Sequence, residues 1–407
     1  MKNLWYRGTV VIAIGVVVLF GLRTCVSSRG DLTEFGADEA IEAELSLQAV
    51  TLEQPDVDGS LLWRLEADSV TYVPETQRAD LLGLRGEFYE EGEKIYTVVA
   101  DEGEVEQNGN TLFLRGNLVA TRIEDDLVIE GELLKWQPKQ GLLRMGDFES
   151  EMMGEGRGSR PPVTISNPTI QAVARSLIVN NKQDRVNMEG GVTARSKSAP
   201  WLTFASEALV WLTAQSLIRA DQQLIVERFA TDSSEIPTET PTDRLVGGSG
   251  NAQLDDNIVT VEQSVRLDSQ LDSGSEGLSV ESDQAVWDVA AQTVELDQPV
   301  DIAQPARQLT ASANRASVDL AEQIIYLIGN VRANGAKNDT SLAADSVTWR
   351  TLSQEVEAEG NVRYQQAANP EAILSGPRAI GNIEDGTLVV IGDGSSDVVT
   401  EIVPEGL

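Results

Sequence analysis

The chain contains no histidine, a single cysteine, few aromatic residues (5%) and 31 basic side chains against 65 acidic ones in 407 residues. Each shortage excludes something. Without imidazole there is no Ser-His-Asp or Cys-His nucleophile system and no histidine metal ligand, and one cysteine gives neither an internal disulfide nor a thiolate zinc cluster. A formal net charge of −34 opposes binding to a phosphate backbone, which proteins grip with basic patches. Carboxylate chemistry stays open. No acidic pair stands out for glycoside hydrolysis, however. Asp255-Asp256-Asn257 and Asp393-Gly394-Ser395-Ser396-Asp397 lack EF-hand spacing and read as solvated turns rather than calcium sites. No enzyme activity and no cofactor are expected. Hydrophobic content of 41% is ordinary, so the acidity does not signal disorder.

What is present begins with an apolar amino terminus. Lys2 and Arg7 precede an uncharged stretch from Gly8 to Leu22, followed by Arg23-Thr24-Cys25-Val26. A helix from Gly8 to Val26, with Arg23 snorkelling, is about 28 Å long at roughly 1.5 Å per residue, close to the thickness of a bilayer core. The flanking positive charge puts the amino terminus in the cytoplasm. No A-x-A-like cleavage site follows, so the segment reads as a retained single-pass anchor. Acylation of Cys25 as a lipoprotein is the alternative, disfavoured by Arg23 and Thr24 where small uncharged residues are usual. Residues 1-26 are thus read as the cytoplasmic terminus and anchor, residues 27-44 as a linker, and the rest as lying outside the inner membrane.

A short pattern then recurs. Ala67-Asp68-Ser69-Val70-Thr71-Tyr72 and Ala344-Asp345-Ser346-Val347-Thr348-Trp349 are nearly identical although 277 residues apart. Taking the small residue as anchor gives Ala67, Ala100, Gly131, Ala174, Ser206, Gly250, Ser282, Ala313, Ala344 and Gly376, mostly 31 to 33 residues apart, with two longer intervals that contain turn-rich insertions. A second mark follows about sixteen residues after most anchors: Gly116-Asn117-Leu118, Gly190-Gly191-Val192, Gly329-Asn330-Val331 and Gly360-Asn361-Val362. Each unit therefore reads as two strands and two turns.

Five residues after the anchor stand Tyr72, Val105, Trp136, Val179, Trp211, Asp255, Trp287, Val318, Trp349 and Gly381, so a large ring occupies every second unit. The rings form a row on one wall of a cavity or fill a sandwich core. Segments such as Thr111-Leu112-Phe113-Leu114-Arg115 are rich in β-formers and punctuated by turns such as Asn108-Gly109-Asn110. The expected fold is all-β: an elongated stack of about twenty strands in about ten repeats, roughly 50 Å long if two sheets share the strands at about 4.8 Å spacing.

A membrane-anchored β chain with this repeat resembles the LptC family of lipopolysaccharide export and the related OstA-like domains of LptA and the LptD amino terminus. The resemblance is closest from Leu45 to Met145, through Trp63, Ala67-Asp68-Ser69-Val70-Thr71-Tyr72, Gly86-Glu87-Phe88-Tyr89, Val99-Ala100-Asp101 and Gly116-Asn117-Leu118. Residues 45-150 look like the LptC-like jellyroll and 170-403 like further OstA-like repeats of the same stack. The resemblance implies a V-shaped β-jellyroll, or β-taco, with an apolar interior. It implies a function too: taking lipopolysaccharide from an inner-membrane ABC transporter (LptB/LptF/LptG-like) and passing it to an LptA-like or LptD-like jellyroll by edge-strand pairing. Localisation in the inner membrane, with the bulk in the periplasm of a Gram-negative-type bacterium, goes with it.

The candidate lipid-cavity residues are Trp63, Leu65, Leu112, Leu114, Leu127 and Ile129, with the ring row Tyr72, Trp136, Trp211, Trp287 and Trp349; the inward face is inferred from strand alternation alone. Candidate edges are Leu45 to Thr51 and Leu388 to Ile391. Recognition by acyl burial, with the head left in solvent, suits so acidic a surface. The rival from another class is a membrane-tethered β-solenoid spacer or adhesin with a filled interior.

Overall fold

Alternation between two faces sets the architecture. Along the strand Glu93–Val105, Tyr96, Val98, Ala100 and Gly103 are buried while Thr97, Val99 and Asp101 face solvent. One apolar face per strand must be covered, and a second sheet covers it.

The computed structural model describes residues 45–403 except 74–77, 107–108, 149–160, 232–236, 271–276, 338, 368–370, 384–386 and 393–397. The expected anchor with Cys25, the linker and the Asp393–Asp397 turn lie outside the described residues. Within them the chain is all-β, with 28 strands from Leu45–Pro55 to Val399–Val403, and no helix is long and apolar enough to cross a membrane. This fits the β-jellyroll class.

Successive strands pair antiparallel from one end to the other. Fourteen run full length and fourteen lie end to end in seven pairs, so the stack has 21 levels rather than about twenty separate strands. Leu142–Gly146 and Val163–Ser166, for example, pair with the two halves of Val128–Gln137. Each level contributes to both walls. The stack is therefore about 100 Å long at about 4.8 Å per level, twice the length that divided strands would give.

The repeat motif builds the corner where the walls meet. On the strand Leu112–Arg122, Gly116 and Asn117 have φ of +76° and +44° and together face one residue of the next strand, a β-bulge that bends the strand. The same two-against-one register recurs at Gly190-Gly191, Gln263-Ser264, Gly329-Asn330 and Gly360-Asn361. The acidic residue after the anchor completes the corner: Asn117 Nδ2 donates to Asp101 at 2.7 Å and Asn361 Nδ2 to Asp345 at 2.8 Å. The anchors are small because they sit inside the bend. Ala67, Ala100, Ala174, Ala313 and Ala344 are all buried. One anchor is corrected. Gly247, not Gly250, occupies this position in its unit, since its neighbours across the ladders are Leu224 and, by extension of the register, Val265.

Opposite the corner the strand ends form a mouth, tied shut in several places. Trp63 Nε1 donates to the Gly109 carbonyl at 2.8 Å, Tyr96 Oη to Asn181 Oδ1 at 2.8 Å, and Arg228 Nη1 to Gln292 Oε1 at 2.5 Å. Every tie joins a second-wall residue to a first-wall turn several levels further along the chain. The walls are therefore displaced along the stack, as their twist requires.

Candidate functional site

Register carries the ring positions into one lane. Reading across the ladders, Tyr72 is followed by Ala79, Val105, Leu112, Trp136, Leu143, Val179, Val186, Trp211 and Ile218. The lane continues through Ala252, Val259, Trp287, Val294, Val318, Ile325, Trp349, Val356, Gly381 and Leu388. Ala252 stands where the spacing put Asp255, as the corrected anchor requires. No polar residue interrupts the lane. A matching lane on the second wall runs from Leu65 through Val98, Ala120, Ile129, Ile165 and Ala194 to Phe204 and, further on, Leu267, Ile302, Ala311, Ala333, Leu342 and Tyr364.

Toward the amino-terminal end the lanes pack directly on each other. Phe88 stacks on Trp136 at 5.0 Å between centroids and Tyr96 meets the same ring edge-on at 6.3 Å. Leu65, Leu112, Leu114, Leu127, Ile129, Trp136, Trp211 and Trp287 are buried in this continuous core, and so is Trp63 beside its mouth tie. Tyr72 is 41% exposed at the amino-terminal end. Burial pushes the Tyr96 phenol up to about 12, so it stays a neutral donor. Nearby, Arg122 grips Asp125 with two hydrogen bonds of 2.8 and 2.6 Å. Burial alone would raise the Asp125 carboxyl, but the guanidinium and a backbone donor together hold it below its ordinary value.

Further along, Asp243 is 2% exposed and receives hydrogen bonds from Arg228 Nε at 2.7 Å and Ser269 Oγ at 2.5 Å. Arg228 also reaches Gln292, so this paired charge is part of the mouth tie.

The lanes separate near the carboxyl-terminal end. A cavity of about 570 Å³ lies between them, lined by Ile302, Ala311, Leu342 and Tyr364 on one side and Leu327, Val347, Trp349, Val356 and Leu388 on the other. The displacement of the walls leaves the last levels of the second wall with little opposite them. Among the described residues the rim carries Gln304, Arg307, Thr310, Lys337 and Asn382. Burial raises the Tyr364 phenol, which is therefore neutral.

Of the residues singled out from sequence, Trp349 lines this cavity. Ile302, Leu342 and Tyr364 were not singled out, and Leu388 was read as an edge residue; Leu388 pairs with Gly381, one of the positions five after an anchor, whereas Leu342 and Tyr364 pair with each other on the wall that carries no ring mark.

Residues 10–140 and 235–336 match the family model for lipopolysaccharide assembly, LptC-related. These segments make up more than half of the chain. The chain belongs to the LptC family. Its role at that level is in lipopolysaccharide transport, and the family is one of transport components rather than enzymes. The second matched segment covers the levels from Pro237–Gly247 to Ile324–Gly335. No curated protein matches the chain.

Proposed function

We propose that this LptC-family chain is a membrane-tethered carrier that holds the acyl part of lipopolysaccharide in its carboxyl-terminal cavity and presents it to a following β-jellyroll. The observation that carries the reading is the cavity between two apolar lanes. Its volume is within the roughly 300–1,000 Å³ usual for small-ligand sites. Burying a twelve-carbon chain there is worth about 10 kcal/mol at about 0.8 kcal/mol per methylene, too much for release into water at a useful rate. A carrier must offer the next apolar surface before the first is lost.

The ends of the stack suit such a hand-over. The strand Thr387–Ile391 is a free edge, and the second-wall lane residues Ala333, Leu342 and Tyr364 remain only half-buried beside it. At the other end it is the first wall that is uncovered, at Leu47 and Tyr72. A following jellyroll whose first strands carried such an uncovered first wall would cover the exposed second-wall lane and continue the ladder, which is β-augmentation. The donor would be an inner-membrane ABC transporter of the LptB/LptF/LptG kind and the acceptor an LptA-like or LptD-like jellyroll. The anchor would sit in the inner membrane with the stack in the periplasm, in keeping with Lys2 and Arg7 before the apolar segment.

The packed interior between Trp63 and Ile302 favours the rival reading, a spacer without cargo. A photoreactive residue at Leu342 or Tyr364 separates the two. Capture of lipopolysaccharide there, in cells, is the expected result, with weaker capture at the packed Leu114. Failure at both cavity positions leaves the spacer.

A further inference from the structure

We infer that the outer face of the first wall, midway along the stack, is a docking strip for an acidic polypeptide segment of another protein, one that carries aliphatic side chains among its carboxylates. The residues on either side of the lane positions Trp136, Leu143, Val179, Val186, Trp211 and Ile218 point away from the core, and the ladders join them into two continuous rows. One row is Lys135, Arg144, Ile178, Asn187, Val210 and Arg219; the other is Gln137, Leu142, Asn180, Arg185, Leu212 and Leu217. Four of these twelve residues are cations and none is acidic, in a chain with 65 acidic side chains against 31 basic ones. Beyond the strip the same rows turn acidic in both directions, at Asp80 and Glu104 toward the amino terminus and at Asp288, Glu295, Asp319 and Glu355 toward the carboxyl terminus.

Folding does not call for these cations. Lys135 and Arg144 stand directly opposite each other, a like-charge cross-strand pair that costs stability. Arg144 Nε is buried and donates no hydrogen bond, Lys135 Nζ lies 4.8 Å from the centre of the Phe113 ring, and Arg185 Nε donates to the neutral Asn187 at 2.7 Å. Among the described residues only Arg219 of the four meets a carboxylate, Asp221 at 3.0 Å, and both are exposed. Between the cations, Leu142, Ile178, Val210, Leu212 and Leu217 are half-buried and form an apolar floor. Carboxylates brought from outside would find charge-assisted partners above that floor, as at a protein interface with an apolar centre and a polar rim. Shape selects the occupant. At about 4.8 Å per level the six levels span about 25 Å, and a twist of about 20° per strand turns the strip by about 100° from end to end. A flat bilayer meets only a few levels of such a surface, and the strip has no tryptophan or tyrosine to anchor in one. A polypeptide segment can follow the turn. This contact is separate from the end-to-end docking at Thr387–Ile391.

The test measures the fluorescence anisotropy of three labelled peptides with the full chain in a non-ionic detergent: four repeats of glutamate-leucine-glycine, of glutamine-leucine-glycine and of glutamate-serine-glycine. The first should bind about tenfold tighter than either of the others, a difference that a few ion pairs or a few partly buried leucines make. Arg144→Gln with Arg219→Gln should weaken the first about tenfold and leave the glutamine peptide unchanged. Val210→Ser with Leu212→Ser should instead remove its advantage over the serine peptide. Arg315→Gln with Arg350→Gln, exposed on the same wall nearer the carboxyl terminus, should change nothing. Equal binding of all three peptides, or binding of none, overturns the inference. So does a loss with the Arg315 and Arg350 pair as large as that with the strip pair, which would make the attraction general to the chain's cations. Equal affinity of the leucine and serine peptides would make the strip an anion site without an apolar requirement, also against the inference. Self-association of the unaltered chain that Arg144→Gln with Arg219→Gln abolishes would give the strip to a second copy and overturn it too.

Discussion

Gly116 shows how much of the corner depends on single residues. Its φ of +76° suits glycine, and a Cβ built there would lie 2.7 Å from Asp101 Oδ2, the atom that holds Asn117. Gly191, at φ +81° in the equivalent bulge, has nothing within 4 Å of the same point. Gly116→Ala should cost about 2–3 kcal/mol, combining the left-handed backbone penalty with the displaced Asp101–Asn117 bond, and Gly191→Ala only about 1 kcal/mol. Urea unfolding of the two variants measures the gap, and equal losses would show that packing on Asp101 is irrelevant to the bend. The sequence displayed the Gly-Asn mark and its period, because the left-handed pair recurs at the bulge of five long strands. It could not show that the Asp after the anchor and the Asn after the glycine are partners, since they lie on neighbouring strands sixteen residues apart. Nor could it separate Gly247 from Gly250, two small residues three positions apart that only ladder register distinguishes.

At the scale of elements, the strand Thr387–Ile391 departs from the usual handling of a sheet edge. Natural edges are blunted by lysine, proline or a bulge, yet this strand is apolar on both faces, with Val389 62% exposed and Ile391 also exposed. Such an edge suits a partner strand. Val389→Lys should leave stability within about 0.5 kcal/mol, as for an exposed substitution without special contacts, while abolishing co-purification with an LptA-like jellyroll. Unchanged co-purification would move the docking strand elsewhere, with Leu45–Pro55 the next candidate. The tendency to form strands was legible from Val, Ile and Thr content, but the sharing of one level by two strands was not. The long anchor spacing marked the segment between Leu142–Gly146 and Val163–Ser166 as an insertion, but only their common partner, Val128–Gln137, shows that the two short strands share one level.

The displacement of one wall along the other belongs to the whole molecule and to no single residue. It accumulates from small twists at every level, which is why the sequence could mark the rings yet not say where the lanes would part. Its consequence is a stack that is solid around Phe88, Tyr96 and Trp136 and open beyond Ile302. Cargo entering at the amino-terminal end of the stack cannot thread the solid part unless the mouth opposite the corner opens, and the ties at Trp63–Gly109, Tyr96–Asn181 and Arg228–Gln292 are what must give way. Cysteines placed at Arg228 and Gln292, in a Cys25→Ser background, could be joined by a short bis-maleimide that a reductant cleaves. Bridging should then reduce lipopolysaccharide capture at a photoreactive Tyr364 position several-fold, and reduction should restore it. Capture that persists through the bridge would mean that the cavity fills from its open end, with no lateral opening of this tie. The amino-terminal levels would then act as a rigid arm, and loading would depend on what docks against Thr387–Ile391.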